Sequence, residues 1–189
     1  IMSSDWSSDV CSSDLYKVSA GIADVAVQEV PLTADFQPDP KAILQAADAH
    51  SKILFLCSPN NPTGNNFAPE LVQLLIQQFP GIVVVDEAYI DFSQQPSFAQ
   101  AIDQHANLVV MQTFSKAWGL AGIRLGMAFA GTEIIELLNK VKPPYNVNQL
   151  TQKAALEALQ RSDEQEQMVA TLLDERHKLE TALPELPFV

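Results

Sequence analysis

Short apolar runs that end in polar or turn-forming residues, with helix-like stretches between them, set the tightest limit on how this chain can fold. The runs are VAVQEV (25–30), KILFLC (52–57), GIVVVDE (81–87) and NLVVMQT (107–113). The last three are almost continuously apolar, the pattern of strands covered on both faces. Between the runs, DPKAILQAADAH (39–50) and APELVQLLIQQF (68–79) repeat apolar residues at helical spacing. Asp39 before Pro40 reads as an N-cap with proline at the first helical position. Such alternation implies βαβ units and a parallel sheet sheathed by helices. The predicted fold is therefore α/β, a three-layer, mostly parallel sheet with helices on both faces.

GIRLGMAFAG (122–131) adds a further strand and TEIIELLNKV (132–141) a further helix. After KPPYNVN the character changes. Residues 149–182 carry almost no strand signal, and QEQMVATLLDERHKLETAL reads as one long amphipathic helix. The expected division is a large domain over 16–148, then a helical connection over 149–189 that leads into a smaller domain.

The first fifteen residues stand apart. IMSSDWSSDVCSSDL repeats Ser-Ser-Asp with little hydrophobic periodicity, and reads either as a non-native scar or as a Ser/Asp-rich tail. It is set aside from the fold argument.

Charge narrows the function classes. The chain of 189 residues has 23 acidic and 11 basic side chains, a formal charge of −12. A nucleic-acid surface needs a basic face to displace counterions, and anionic membranes attract basic segments, so both partners are disfavoured. No apolar run approaches the roughly 18 residues that span a bilayer. No basic segment precedes an apolar one in the manner of a signal peptide. Two cysteines, Cys11 and Cys57, do not make a disulfide framework, which leaves the cytoplasm as the expected compartment.

In open α/β sheets, ligands bind outside the carboxyl ends of the strands. Here those ends are unusually polar. KILFLC runs into SPNNPTG, GIVVVD into DEAY, and NLVVMQ into TFSK, which brings Asn61, Asp86, Tyr89 and Lys116 toward one sheet edge. Each has a plain alternative. Asn-Pro-Thr-Gly forms turns anywhere, an aspartate after a strand can be a cap, and a lone lysine can snorkel to water. Their spacing together favours a shared site. Lys116 has no charged neighbour between Asp103 and Arg124, and this isolation suggests a dry setting. A dry setting favours a neutral, nucleophilic amine.

Other motifs are weaker. His50, His105 and His177 lack metal-ligand spacing. Neither GxGxxG nor GxxxxGK[ST] is present, and Thr113 stands where a Ser-x-x-Lys hydrolase needs serine. Cys57 ends an apolar strand and reads as packed.

SPNNPTG, VVVDEAYIDF and TFSKAWGLAGIRLG, in that order and separation, resemble the fold-type I pyridoxal-phosphate-dependent aminotransferases. YKVSA and VKPPYNVN are most similar to the histidinol-phosphate aminotransferase branch, so that 16–148 would be a cofactor-binding large domain. The resemblance implies pyridoxal 5'-phosphate bound to Lys116 as an imine, with Lys116 also acting as general base. It places Asp86 at the pyridine nitrogen, Asn61 and Tyr89 at the ring oxygen, and Thr113, Ser115 and Arg124 at the phosphate. It implies transfer of an amino group from L-histidinol phosphate to 2-oxoglutarate by a ping-pong route, within a homodimer. Tyr145 and Asn146 are further substrate contacts in that branch, although a proline-anchored turn explains them nearly as well.

Three departures from the family pattern matter. The aromatic ring that stacks on the cofactor lies just upstream of the position matching Tyr16, where this chain has the Ser/Asp segment. The family's glycine-containing phosphate segment and its carboxylate-binding arginine have no counterpart between 16 and 189. The chain by itself is therefore expected to be a fragment and an incomplete catalyst. Alternatives are a phosphothreonine decarboxylase-like enzyme, a sensor module that keeps the fold beside a DNA-binding domain, and an inactive fragment.

Overall fold

The computed structural model describes residues 2–3 and 12–186, and the chain divides into two compact units. The first comprises Ile1–Thr113 and Gly126–Lys142, the second Phe114–Leu125 and Pro143–Val189. In the first unit the strands are β1 (Met2–Ser3), β2 (Glu29–Val30), β3 (Ile53–Cys57), β4 (Ile82–Asp86), β5 (Leu108–Thr113) and β6 (Gly126–Ala130). Its helices are α1 (Ser12–Ile22), α2 (Pro40–Ala46), α3 (Pro69–Gln78) and α4 (Thr132–Val141). The strands form one sheet in the order β2-β1-β3-β4-β5-β6; the first five are parallel and β6 is antiparallel to β5.

Register explains the core. Leu54, Val83 and Leu108 stand opposite one another across β3, β4 and β5, as do Leu56, Val85 and Val110 two residues further on. Side chains two apart on a strand share a face, so these six form two rows, all fully buried. Ile43 of α2, Val72, Leu75 and Ile76 of α3, and Phe67 and Phe79 cover them. Burying an aliphatic side chain of this size contributes about 1.5–3 kcal/mol, so this face anchors the sheet. The opposite face carries Phe55, Val84 and Val109. There Tyr16 of α1 stacks on Phe55, with ring centroids 4.3 Å apart and planes inclined by 22°. Helices thus cover both faces, and the mostly parallel α/β sheet is as expected.

The N-cap is also as expected. The Asp39 carboxylate accepts a hydrogen bond from the Ala42 amide at 3.1 Å, with Pro40 opening α2. Other bounds differ. α2 stops at Ala46 rather than residue 50, because the Asp48 carboxylate takes the His50 amide and the Ser51 hydroxyl into a turn of its own. The run 25–30 contributes only Glu29 and Val30 to the edge of the sheet; Val25 and Val27 are exposed and leave nothing to pin a longer strand. The run 122–131 opens as a 3-10 turn over Ala121–Ile123 and becomes a strand only at Gly126. Within the segment set aside from the fold argument, Met2–Ser3 pairs in parallel with Glu29–Val30 and with Phe55–Leu56, and α1 begins at Ser12. The remainder of that segment, residues 1 and 4–11, lies outside the described residues.

In the second unit, α5 (Gln149–Leu159) is capped by Asn148, whose Oδ1 accepts from the Thr151 amide at 2.9 Å. The long helix forms as α6 (Ser162–Ala182), yet only Val169 on it is buried, and Met168, Leu172 and Leu179 are exposed.

Candidate active site

The ends of the central strands are aligned: Cys57 of β3 stands opposite Asp86 of β4, which stands opposite Met111 of β5. The chain leaves β3 through SPNNPTG, where side chains replace the ladder. The Ser58 hydroxyl accepts from the Phe67 amide at 2.9 Å, the Asn60 and Gly64 amides close the turn, and Gly64 takes a φ of 74°. Asn60 is almost fully buried and donates to Thr63 Oγ1 at 2.6 Å. Its Oδ1 is the one buried side-chain atom without a hydrogen-bond partner among the described residues. Asn61 follows, half-buried.

Asp86 ends β4 on the face that also carries Phe55 and Val84. Its Oδ1 accepts from the Ala88 amide at 3.0 Å, and its Oδ2 accepts from the Tyr16 hydroxyl. The Tyr16 phenol is pushed far above its ordinary range, first by burial and then by the Cys57 and Asp86 side chains beside it. Next to Asp86, Glu87 is buried and satisfied differently. Its carboxylate accepts from Ser97 Oγ at 2.5 Å, the Phe98 amide at 2.7 Å and Gln112 Nε2 at 2.9 Å. That cluster ties the 3-10 segment Phe98–Gln104 to the ends of β4 and β5. Tyr89, half-buried, begins the 3-10 turn Ile90–Phe92, and Thr113 closes β5 opposite Gly126.

The first unit thus brings Asn61, Asp86, Tyr89 and Thr113 onto the loops and ends of three adjacent strands. Ser115, Lys116 and Arg124 belong to the second unit. There the chain turns tightly: the Gly119 amide donates to Lys116 O at 2.9 Å and the Leu120 amide to Phe114 O at 3.0 Å, with Gly119 at a φ of 65°. Phe114 and Ala117 are buried, and the Phe114 and Trp118 rings lie 5.4 Å apart. Lys116 itself is exposed. The buried positions of this turn are its neighbours Phe114 and Ala117, three residues apart, rather than Lys116. Arg124 is also exposed, adopts a left-handed backbone with φ 53°, and donates from Nη1 to Ala121 O at 2.8 Å. Thr151 of α5 donates to Ile123 O at 3.1 Å, which steadies the same turn.

Tyr16, Asn60 and Glu87 escaped sequence reasoning. Only Glu87 left a signal, an acidic residue directly after a buried strand. The Tyr16–Asp86 contact joins positions far apart in the chain, and nothing local announces it.

A family model described as aminotransferase class I and II matches residues 7–189. The chain belongs to the class I and II aminotransferase family. It is 55% identical over 173 residues to a histidinol-phosphate aminotransferase of Cytophaga hutchinsonii, covering 92% of this chain and 50% of that protein. It is 53% identical over 175 residues to one of Flavobacterium johnsoniae, covering 93% and 50%. Among solved structures, the fold matches a Sinorhizobium meliloti histidinol-phosphate aminotransferase in complex with pyridoxal-5'-phosphate, with a TM-score of 0.81 at 21% identity, over 95% of this chain and 48% of that one. The chain spans about half the length of the curated relatives it matches.

Proposed function

We propose that the protein carrying this segment moves an amino group between L-histidinol phosphate and 2-oxoglutarate with pyridoxal 5'-phosphate as cofactor. The observation that carries the reading is Asp86, a carboxylate held from two sides at a strand end, in an aminotransferase chain this similar to histidinol-phosphate aminotransferases.

The donor set suits such a cofactor chemically. When bound, it supplies an electron-withdrawing ring that stabilises negative charge at the substrate's α-carbon. Asp86 would keep a proton at the ring nitrogen. The Asn61 amide and the Tyr89 phenol would donate to the ring oxygen without adding charge. Thr113, Ser115 and Arg124 would bind the phosphate, with arginine offering two parallel hydrogen bonds. Lys116 would carry the cofactor and, once released by substrate, move the proton at the α-carbon. A homodimer belongs to the same reading and is open to sedimentation analysis.

The test is an amino-donor screen on a protein of the relatives' length that contains this segment. Glutamate should form from 2-oxoglutarate with histidinol phosphate as donor, and Lys116→Ala should abolish it. Release of carbon dioxide from a phosphorylated amino acid, without glutamate, would replace this reading with the decarboxylase.

A further inference from the structure

We propose that Tyr16 is the positioning residue for Asp86, with its phenol, braced on Phe55, fixing the carboxylate at the end of β4. Phe55 stands opposite Val84 and Cys57 opposite Asp86, so Phe55 and Asp86 share one face of the sheet two residues apart. Tyr16 on α1 lies across that face. Its ring stacks on Phe55 at 4.3 Å, and its hydroxyl extends to Asp86 Oδ2.

A terminal carboxylate turns easily, because its last torsion is broad and two-fold. A single donor at one oxygen would leave that freedom largely intact. Here the Ala88 amide holds Oδ1 at 3.0 Å while the Tyr16 hydroxyl holds Oδ2, so the plane is set from both ends. A carboxylate offers roughly four acceptor positions, so these two donors leave capacity for a third partner. Burial, Cys57 and Asp86 together keep the proton on Tyr16, so the phenol is a donor throughout the ordinary pH range. The stacking on Phe55 fixes where that donor points.

What Asp86 is held for rests on the function proposed above; that Tyr16 holds it does not. The experiment therefore has two arms. In the first, without cofactor, the Tyr16 hydroxyl proton and the Asp86 carboxyl carbon are followed by NMR in the chain and in Tyr16→Phe, which keeps the ring. Wild type should show a slowly exchanging hydroxyl proton, and the Asp86 carboxyl resonance should move in Tyr16→Phe. Asp86→Asn, read on the Tyr16 hydroxyl proton, should shift that signal, and it decides the matter if Tyr16→Phe does not fold. An Asp86 resonance unchanged in folded Tyr16→Phe, or a hydroxyl proton indifferent to Asp86→Asn, would reduce Tyr16 to packing and overturn the proposal. In the second arm, pyridoxal phosphate is titrated by absorbance into a protein of the relatives' length that contains this segment, as wild type and as Tyr16→Phe. Affinity should fall about threefold to tenfold in Tyr16→Phe, the scale of one hydrogen bond. Equal affinities would overturn the positioning role toward cofactor. Failure of wild type to take up cofactor would count against the cofactor reading, with the NMR arm still deciding the Tyr16–Asp86 link.

Discussion

Replacing Glu87 with alanine should destabilise the first unit more than any surface substitution. Three donors converge on this buried carboxylate: Ser97 Oγ, the Phe98 amide and Gln112 Nε2. Hydrogen bonds to a charged group contribute about 1.5–3 kcal/mol each, which would suggest a loss above about 5 kcal/mol. Two effects reduce it. Ser97 Oγ and Gln112 Nε2 already lie 3.2 Å apart and keep each other as partners. Removing a buried charge also removes its desolvation cost. A net loss of about 3–4 kcal/mol remains, centred on the Phe98 amide. At about 2–4 °C per kcal/mol for a chain of this size, the melting point should drop by roughly 10 °C. Glu87→Gln preserves the shape and one acceptor but faces Ser97 and Gln112 with an amide, so about 1–2 kcal/mol is expected. Urea unfolding gives both values. An alanine variant within about 0.5 kcal/mol of wild type would refute the idea that this cluster pins residues 98–104, since that is the ordinary range of surface substitutions.

Two further outcomes follow from local geometry. A Cβ on Gly81 would sit 2.3 Å from Lys52 O and 2.7 Å from its carbon, so Gly81→Ala should cost at least about 2 kcal/mol in urea unfolding. Because the Tyr16 phenol is raised, the folded chain keeps a proton that the unfolded chain gives up above about pH 10. Stability should therefore fall by about 1.4 kcal/mol per pH unit beyond that point, a slope that Tyr16→Phe removes.

The sheet was legible because its signal is local and redundant. Leu54, Leu56, Val83, Val85, Leu108 and Val110 each announce a buried strand, and their register only confirms it. Asp86 was legible for the same reason, as a carboxylate that ends such a run. Edges were not. Val25 and Val27 look like strand residues, but strand identity there depends on neighbours the sequence does not display. The exposure of Lys116 was hidden too, since an apolar stretch does not tell which residue of a turn points inward. The Tyr16–Asp86 bond spans 70 positions and exists only because α1 crosses the Phe55 face.

Borohydride reduction of a protein of the relatives' length that contains this segment, with pyridoxal phosphate bound, followed by peptide mapping, addresses the central claim that the segment carries the cofactor through one lysine. The label should fall on the peptide containing Lys116 and vanish in Lys116→Ala. A label on Lys52 or Lys142, or one spread evenly over the lysines, would contradict it.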